Sequence, residues 1–261
     1  MPTELWPNRW LFLSLVRREI TNRYSGTLIG GVWALGQPVL LLSIYAFVFR
    51  TIFKVNFGEL ENHSFTAFVA CALWPWMAFQ EGVQRATHSI TGNVGLVRKV
   101  QFPHELLVLS SVAATFLIHF VGFAIVLLAL ELTGARFNYG ATPIVLFAWS
   151  ILLLLAIAFA LAVAALQVFL KDIDHLLGPL FMVCFYATPI LYPATQVPEP
   201  YRWIVTANPI AQLLNAIRGA LLFNDTSHTV LLGMLAMVAL AIAMLSHALF
   251  RRLSSYFADF V

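Results

Sequence analysis

Residues 137–170 read FNYGATPIVLFAWSILLLLAIAFALAVAALQVFL and contain no Lys, Arg, Asp or Glu. A helix crosses the roughly 30 Å hydrocarbon core of a bilayer with about 20 apolar residues, so this stretch is long enough to span a membrane. Lipid offers no partner to a bare N–H or C=O group, which leaves only helices and closed barrels. Because the stretch lacks the period-two alternation of a barrel strand, it predicts a transmembrane helix.

Further uncharged stretches have the same character, and they comprise residues 24–49, 62–80, 106–130, 175–198 and 226–250. The composition agrees, with 61% hydrophobic residues, 10% charged residues and a mean hydropathy of +0.85. These values lie outside the range of soluble domains. The sequence therefore predicts an all-α polytopic membrane protein with six transmembrane helices, organised as a single transmembrane domain over residues 1–261.

The cationic residues predict the orientation of these spans. An even number of spans places both termini on one side, and ten of the Lys and Arg residues then lie on that side and five on the other. Cytoplasmic loops of membrane proteins carry the excess of Lys and Arg, so both termini are expected in the cytoplasm. The net charge of +3 is too small to indicate a nucleic-acid partner.

Residues 6–25 predict a helix that lies in the membrane surface before the first span. Its apolar stripe consists of Trp6, Trp10, Leu13, Ile20 and Tyr24, and its other side carries mostly Ser14, Arg17, Arg18, Thr21 and Asn22. An apolar stripe with aromatic residues opposite a cationic face is typical of interfacial amphipathic helices. A cytoplasmic extension with ordinary positive-inside charges is the alternative.

Residues 194–225 do not fit a simple span or a free loop. Between Arg202 and Arg218 the chain is too short and too polar to cross a bilayer, yet it is rich in apolar residues. This pattern predicts re-entrant or interfacial helices broken at Asn208-Pro209, because irregular backbone is tolerated at membrane depth only beside protein or a water-filled cavity.

The chain lacks the motifs of several enzyme classes. It has no G-x-x-x-x-G-K-[ST] loop for nucleotide phosphates, and Val108 stands where a zinc-protease motif starting at His104-Glu105 needs its second His. His119 is interpreted as a hydrogen-bonded packing residue, and Glu81 with Arg85 as an i,i+4 ion pair. With no catalytic residue and no metal site predicted, a conduit or scaffold is favoured over an enzyme.

A series of short motifs follows in order along the chain: Arg18-Glu19-Ile20 with Arg23-Tyr24, Gly30-Gly31-Val32-Trp33-Ala34 with Gln37-Pro38, Trp74-Pro75-Trp76 with Phe79, Leu96 to Pro103, Lys171-Asp172-Ile173, Thr188 to Pro193, and Asn208-Pro209 with Arg218. Together these segments resemble the membrane subunit of a polysaccharide-exporting ABC transporter. The branch concerned moves O-antigen, capsular polysaccharide or teichoic acid. The resemblance covers nearly the whole chain and is more specific to the family than to the substrate.

The resemblance implies a homodimer of this chain with two copies of a separate ATP-binding-cassette ATPase subunit. ATP and Mg would then bind the partner, and this chain would need no cofactor of its own. The cytoplasmic loop 88–105 would hold a coupling helix that docks on the ATPase. The residues expected to make this contact are Asn93, Leu96, Val97, Arg98, Lys99, Phe102 and Pro103, with Asp172 on a second turn. A loop that contacts nothing is the alternative.

A glycan pathway needs aromatic faces for sugar C–H groups and a few hydrogen-bonding side chains for hydroxyls. The expected wall residues are Trp33, Gln37, Tyr45, Phe49, Phe181, Phe185, Tyr186 and Tyr192. Lipid-facing packing and the interfacial aromatic belt are the alternative explanation for these residues. An outer gate is expected at Pro189, Asn208, Pro209 and Arg218. Contacts to the phosphates of a lipid-linked substrate or of membrane lipids are expected from Arg17, Arg18 and Arg23.

The sequence thus predicts a permease in the bacterial cytoplasmic (inner) membrane that exports lipid-linked polysaccharide with the energy of the partner's ATP hydrolysis. Two alternatives stay open. One is an ABC exporter of small amphiphiles such as drugs or glycolipids. The other is a membrane enzyme of envelope glycolipid chemistry.

Overall fold

The computed structural model describes residues 8–23, 25, 30–54, 64–100 and 102–260, and these residues form helices joined by turns and loops, with no β-strand among them. The all-α prediction is therefore confirmed for this part of the chain. Of the residues named above, Trp6, Tyr24 and Gln101 lie outside the described residues, as does most of the loop between the first two predicted spans.

The α-helices are, in chain order, α1 (Arg9–Arg23), α2 (Val32–Ala46), α3 (Phe65–Thr87), α4 (Val94–Lys99), α5 (Glu105–Leu132), α6 (Thr142–Phe169), α7 (Ile173–Ala187), α8 (Arg202–Ala207), α9 (Pro209–Leu222), α10 (Thr229–Ser254) and α11 (Phe257–Phe260). A π-helical turn, Phe47–Ile52, continues α2. Short 3-10 turns occur at Thr91–Asn93, Tyr139–Ala141, Ala194–Gln196 and Glu199–Tyr201.

Among the described residues, four helical segments are long and apolar enough to cross a membrane: Val32–Ile52, Glu105–Leu132, Tyr139–Phe169 and Thr229–Ser254. They correspond to the first, third, fourth and sixth predicted spans. The second and fifth predicted spans correspond to α3 and α7, which fall outside this set. Helix α3 carries Gln80, Glu81, Gln84 and Arg85 in its second half, and α7 is only 15 residues long.

Helix α3 occupies the centre of the bundle and contacts α2, α5, α6, α7 and α9. Most of its residues are buried, including the large side chains of Trp74 and Trp76. Small residues along the helix, such as Ala70 and Gly82, let neighbouring helices approach closely. A helix surrounded by protein in this way has little need of a lipid-facing apolar surface, which explains its modest hydropathy.

Helix α7 ends earlier than the sequence predicted. The uncharged stretch 175–198 predicted a longer fifth span, but α7 stops at Ala187 and Thr188 adopts the extended conformation with φ −98° and ψ 131°. The cause is Pro189, since a proline disfavours helical backbone at the residue before it. At 1.5 Å per residue, α7 is about 22 Å long, which is shorter than a bilayer core.

Helix α1 covers most of the predicted interfacial segment. Its Leu15 is buried and the helix packs against α5, whereas Trp10 and Leu13 of the predicted stripe are 74% and 55% exposed. The protein-facing side of α1 is therefore not the predicted apolar stripe. Its placement in a membrane surface stays a prediction.

One end of the bundle, here called the basal end, is formed by residues 88–100 and 102–104, the turn 170–172, the last turn of α10 and α11. Phe257 of α11 is fully buried there, with its ring centroid 5.3 Å from that of Phe250, 6.1 Å from His104 and 6.2 Å from Phe169. Burial lowers the pKa of His104, so its ring is neutral at neutral pH and packs as an aromatic side chain.

The opposite end, here called the distal end, is formed by residues 133–141, 188–208 and 223–228. There the backbone N–H of Asn138 donates to the carbonyl of Leu221 at 2.8 Å, which ties the α5–α6 turn to the end of α9. The two ends of the bundle therefore present different loops.

The crossing of α3 with α5 gives a stability prediction. A Cβ at Gly122 of α5 would lie 2.9 Å from Trp74 Nε1 and 3.1 Å from a Leu35 methyl group, so Gly122→Ala should force these side chains apart. Overpacking of this kind costs about 1–3 kcal/mol. We expect a lower melting temperature for the purified variant in detergent.

The matched control is Gly233→Ala on α10, where a new Cβ meets nothing within 4 Å. Alanine is favoured over glycine in a helix by about 1 kcal/mol, so this variant should keep or raise the melting temperature. Equal melting temperatures for the two variants would contradict the close approach at Gly122.

Candidate functional site

A cavity of about 570 Å³ lies where α2, α3 and α7 meet, with contributions from α1 and α5. Its wall is largely aromatic and includes Trp33, Tyr45, Trp76, Phe181, Phe185 and Tyr186. The amide side chains of Gln37, Gln80 and Gln84 add hydrogen-bonding groups. The cavity thus combines apolar ring faces with a few neutral hydrogen bonders.

Six of the eight predicted pathway residues line this cavity: Trp33, Gln37, Tyr45, Phe181, Phe185 and Tyr186. Phe49 and Tyr192 are not among its lining residues. The Phe49 ring packs against Phe53 and Phe65, each with centroids 5.8 Å apart, and the Tyr192 hydroxyl donates to the Tyr186 carbonyl at 2.7 Å. Of the six residues that line the cavity, Trp33, Gln37 and Tyr45 come from α2 and the other three from α7. The structure therefore brings two distant segments together.

The aromatic wall is interlocked. Tyr45 stacks on Phe185 at a centroid distance of 6.0 Å, and Trp76 meets Phe185 and Phe181 edge-on at 6.0 and 6.3 Å. Edge-to-face and offset arrangements of this kind are the favoured geometries for ring pairs. Trp33 and Tyr186 are 55% and 63% exposed and lie at the open side of the cavity.

One part of the cavity is ionic, because three basic side chains from three helices converge on Glu81 of α3. Arg85 Nε donates to Glu81 Oε1 at 2.7 Å, His119 Nε2 of α5 lies 2.7 Å from Oε2, and Arg23 at the end of α1 also donates to Oε1. The side chains of His119 and Arg23 are only 2% and 9% exposed, against 28% for Glu81. Buried charges need such partners because desolvation without them is costly.

This ionic cluster was only partly predicted from the sequence. The Glu81–Arg85 pair and a hydrogen-bonded His119 were expected, but the convergence of Arg23 and His119 on the same carboxylate was missed. Arg23 and His119 are 58 and 38 residues from Glu81 in sequence, so no local pattern connects them. The available signal was that an ionisable group in a membrane helix is a functional-site hypothesis by default.

A second groove of about 420 Å³ continues from the ionic cluster toward the basal end. It shares Glu81, Arg85 and Gly178 with the cavity and adds Gln84, His88, Asp174 and Leu177. His88 Nε2 lies 2.9 Å from Asp174 Oδ1, which joins the loop after α3 to the start of α7. The ionic cluster is therefore reached both from the aromatic cavity and from the basal surface.

The predicted coupling residues lie on or next to α4 at the basal end, but they do not form one surface. Val97 is 5% exposed and packs in the protein core, with Leu96 and Phe102 half-buried against it. These three side chains are thus largely covered by this chain itself, and their contact with a partner stays a prediction. Among the predicted coupling residues, Arg98 and Lys99 are exposed, as is Asp172 on the neighbouring turn. Pro103 is half-buried.

The three arginines expected to meet lipid phosphates have different surroundings. Arg17 is exposed. Arg18 donates to Asn93 Oδ1 at 3.0 Å, which ties α1 to the loop carrying α4, and it also pairs with Glu19 at 3.5 Å. Arg23 reaches into the cavity and binds Glu81.

The four predicted gate residues come together at the distal end. The Asn208 side chain caps α9 by accepting from the N–H groups of Ile210 and Ala211 at 3.0 and 3.3 Å, and it donates to Thr188 Oγ1 at 3.0 Å. Pro209 is the first residue of α9, a position where its missing N–H costs no helical bond. The interruption of the helix predicted at Asn208-Pro209 therefore lies between α8 and α9.

Arg218 of α9 is buried and holds three segments together through carbonyl groups. It donates to Phe68 O at 3.2 Å, Pro189 O at 3.0 Å and Ile190 O at 3.0 Å, and its guanidinium lies 3.6 Å from the Phe68 ring centroid. The bonds to Pro189 and Ile190 satisfy carbonyls just beyond the end of α7, and the bond to Phe68 connects them to α3. The sequence had placed Arg218 among the outer charges, and the structure places it inside the protein.

No group of three or more His, Cys, Asp or Glu side chains within the described ranges is arranged to hold a metal ion.

Comparison with known proteins identifies relatives along almost the whole chain. The family model described as ABC-2 type transporter matches residues 11–222. An O-antigen export system permease protein RfbA from Myxococcus xanthus is 30% identical over 263 residues, covering 98% of this chain and 97% of the relative. One from Klebsiella pneumoniae is 26% identical over 255 residues, covering 95% and 94%. The polysialic acid transport protein KpsM of Escherichia coli is 24% identical over 244 residues, covering 91% of each chain.

The Arg218 contacts give a second stability prediction. Arg218→Met keeps an unbranched side chain but leaves the carbonyls of Phe68, Pro189 and Ile190 without their donor. Hydrogen bonds to charged groups contribute about 1.5–3 kcal/mol each, so we expect a large fall in the melting temperature of the purified protein.

The matched control is Arg202→Met at the same end, where Arg202 is exposed and lies 3.6 Å from Glu199. Exposed ion pairs contribute about 0–1 kcal/mol, so this variant should melt close to the wild type. A similar small change for both variants would contradict the role assigned to Arg218.

Proposed function

The chain belongs to the ABC-2 type transporter family, and we propose that it is the permease subunit of an ABC exporter that moves lipid-linked polysaccharide across the bacterial cytoplasmic membrane. The observation that carries the proposal is the aromatic cavity between α2, α3 and α7, found in a chain whose full-length relatives are named as O-antigen and polysialic acid transport proteins. Because those relatives are named as permeases or transport proteins, a transport subunit is favoured over an enzyme.

The cavity suits a sugar polymer for chemical reasons. Pyranose rings present C–H faces that pack on aromatic rings, and hydroxyl edges that bond to amides such as those of Gln37, Gln80 and Gln84. Neutral, spaced hydrogen bonders hold each sugar weakly, and a polymer that must slide needs contacts that can be released. A cavity for one tightly held small molecule would instead be enclosed, whereas this one is open beside Trp33 and Tyr186.

In the proposed topology the chain crosses the membrane six times. The four apolar segments are joined by α3, whose polar side chains line the cavity between it and its neighbours, and by α7 together with the extended residues after it. The basal end carries Arg98, Lys99, Lys171 and Arg252, so it is assigned to the cytoplasm by the positive-inside rule, together with both termini. The distal end, with the Asn208 break and Arg218, is then the outer gate.

We further propose that two copies of the chain form the pore. Only 11% of the positions in the most apolar stretch of Val32–Ile52 are buried, against 56% for Tyr139–Phe169. Large apolar side chains of α2 and α7 are exposed beside the open cavity, among them Leu40, Ile44, Leu180 and Val183. A second copy packed on this side would cover these residues and close the cavity into a passage.

The energy source in this proposal is a separate ATPase subunit, present in two copies, which binds ATP and Mg and leaves this chain without a cofactor. Its docking surface is the basal end around Arg98, Lys99 and Asp172. The hydrogen bond between Arg18 and Asn93 would pass movements of this loop to α1. The alternative of a small-amphiphile exporter predicts altered drug sensitivity with a normal surface glycan.

Export is tested by deleting the gene and restoring it as variants. Deletion should leave lipid-linked polysaccharide in the cytoplasm and the cell surface without it. Trp33→Ala combined with Gln37→Ala should restore surface glycan several-fold less than the wild type, because the variant removes a ring face and an amide from the cavity. The readouts are surface and intracellular long-chain glycan, with co-purification of the ATPase to check assembly.

The control pair is Met237→Ala with Val238→Ala, which changes exposed residues of α10 away from the cavity. This pair should restore export fully. A deletion strain with normal surface glycan would overturn the proposed function, and full export by the Trp33 and Gln37 variant would overturn the assignment of the pathway.

The docking surface is tested by charge reversal. Arg98→Glu combined with Lys99→Glu should abolish co-purification of the ATPase, because the glutamates that replace two exposed cations at the end of α4 would repel an acidic partner surface. The control Arg252→Glu reverses an exposed cation at the same end and should leave the complex intact. Loss of the complex in the control alone would place the docking surface elsewhere. Val97→Asp is unsuitable as a test since it would bury an unpaired charge.

A further inference from the structure

The ionic cluster in the cavity brings two arginines onto one carboxylate. The charged side chains among the lining residues of the cavity are Arg23, Arg85 and Glu81, and His119 lies beside them. Both guanidinium groups bond to Glu81 in a partly buried place. Cations in such a place depend on anionic partners.

The arginines have the geometry of an anion site. Both donate to the same oxygen, Glu81 Oε1, Arg23 from the end of α1 and Arg85 from the next turn of α3 itself, while Oε2 is held by His119. Guanidinium groups bind phosphate oxygens as readily as carboxylate oxygens, and often through two hydrogen bonds at once. A phosphate group could therefore replace Glu81 Oε1 between the two arginines while Oε2 keeps its bond to His119.

The cluster is also accessible from the side where a headgroup would arrive. The groove of about 420 Å³ lined by Gln84, His88 and Asp174 leads from Glu81 and Arg85 to the basal end. In that groove His88 and Asp174 are paired with each other, so Arg85, which is 43% exposed, is the cation facing it.

We propose that Arg23 and Arg85 bind the phosphate or diphosphate group of the substrate and that Glu81 is a resident counter-ion which this group displaces. The identification of the group with the substrate rests on the proposed function, since a lipid-linked polysaccharide carries phosphate between lipid and sugar. Glu81 thus holds the arginines in place when the site is empty and competes with the ligand when it arrives. No bond is made or broken in this exchange.

The test measures binding of farnesyl diphosphate to the full-length chain in nanodiscs of phosphatidylcholine. Arg23→Gln and Arg85→Gln should each weaken binding about tenfold or more, as expected for loss of one charge-assisted contact. Glu81→Gln should strengthen binding several-fold because the competing charge is gone. A merely structural ion pair predicts the opposite sign for Glu81→Gln, namely weaker or unchanged binding.

Two further variants keep the test decisive. Gln84→Glu adds a second carboxylate to the same cavity without touching Glu81, and it should weaken binding even if Glu81→Gln does not fold. Arg252→Gln removes an exposed cation of the basal end outside the cavity and should bind as the wild type does. The proposal would be overturned if Arg252→Gln weakened binding as much as Arg85→Gln does. It would also be overturned if Gln84→Glu left binding unchanged.

The source of the phosphate is distinguished by two more probes. Inorganic pyrophosphate tests the free anion, and nanodiscs containing phosphatidylglycerol test an ordinary lipid headgroup. Displacement of farnesyl diphosphate by either identifies a site that recognises phosphate alone, and binding of none of the three overturns the site. The two proposals can fail separately. If the purified protein binds farnesyl diphosphate but the deletion strain has normal surface glycan, the phosphate site stands and polysaccharide export is overturned.

Discussion

The structure depends on the burial of α3. This helix carries two glutamines, a glutamate and an arginine in its second half, and lipid could not accommodate them. Helices α5, α6 and α9 cover one part of α3, while α2 and α7 leave room for the cavity on another. The apolar helices can therefore face lipid with simple aliphatic surfaces because the polar chemistry is concentrated on one protected helix. The same arrangement explains why the cavity of about 570 Å³ opens beside α3.

Two cationic systems lie toward opposite ends of α3, and they are built differently. Toward the distal end, Arg218 bonds to the carbonyl of Phe68 and to two carbonyls after α7, so its neighbours are dipoles that cannot change their charge. Toward the basal end, Arg23 and Arg85 bond to the carboxylate of Glu81, an anion that another anion can replace. The first arrangement holds the non-helical residues after α7 in place. The second leaves a cationic site that can exchange partners, which suits a position where substrate is received.

Much of the helical framework could be predicted from the sequence, because long uncharged stretches report burial in lipid or protein directly. The uncharged stretch 62–80 predicted the second span, which lies in α3, and six of the eight predicted pathway residues line one cavity. The failures have local or distant causes. Pro189 ends α7 early, and Val97 is buried although it lies in a polar loop. Arg23 and His119 contact Glu81 from 58 and 38 residues away in sequence. Hydropathy measures average environment, so it cannot specify which side chains of different helices meet.

The contacts of Arg218 also bear on how the chain is made. A ribosome delivers residues to the membrane in order, and Phe68, Pro189 and Ile190 all precede Arg218. When α9 leaves the insertion machinery, the three carbonyls that receive its guanidinium are thus already present in α3 and in the segment after α7. A cation that had to wait in lipid for partners synthesised later would hold the nascent chain at the surface. In this protein the order of biosynthesis supplies the acceptors first, so α9 can move to its buried position as soon as it is complete.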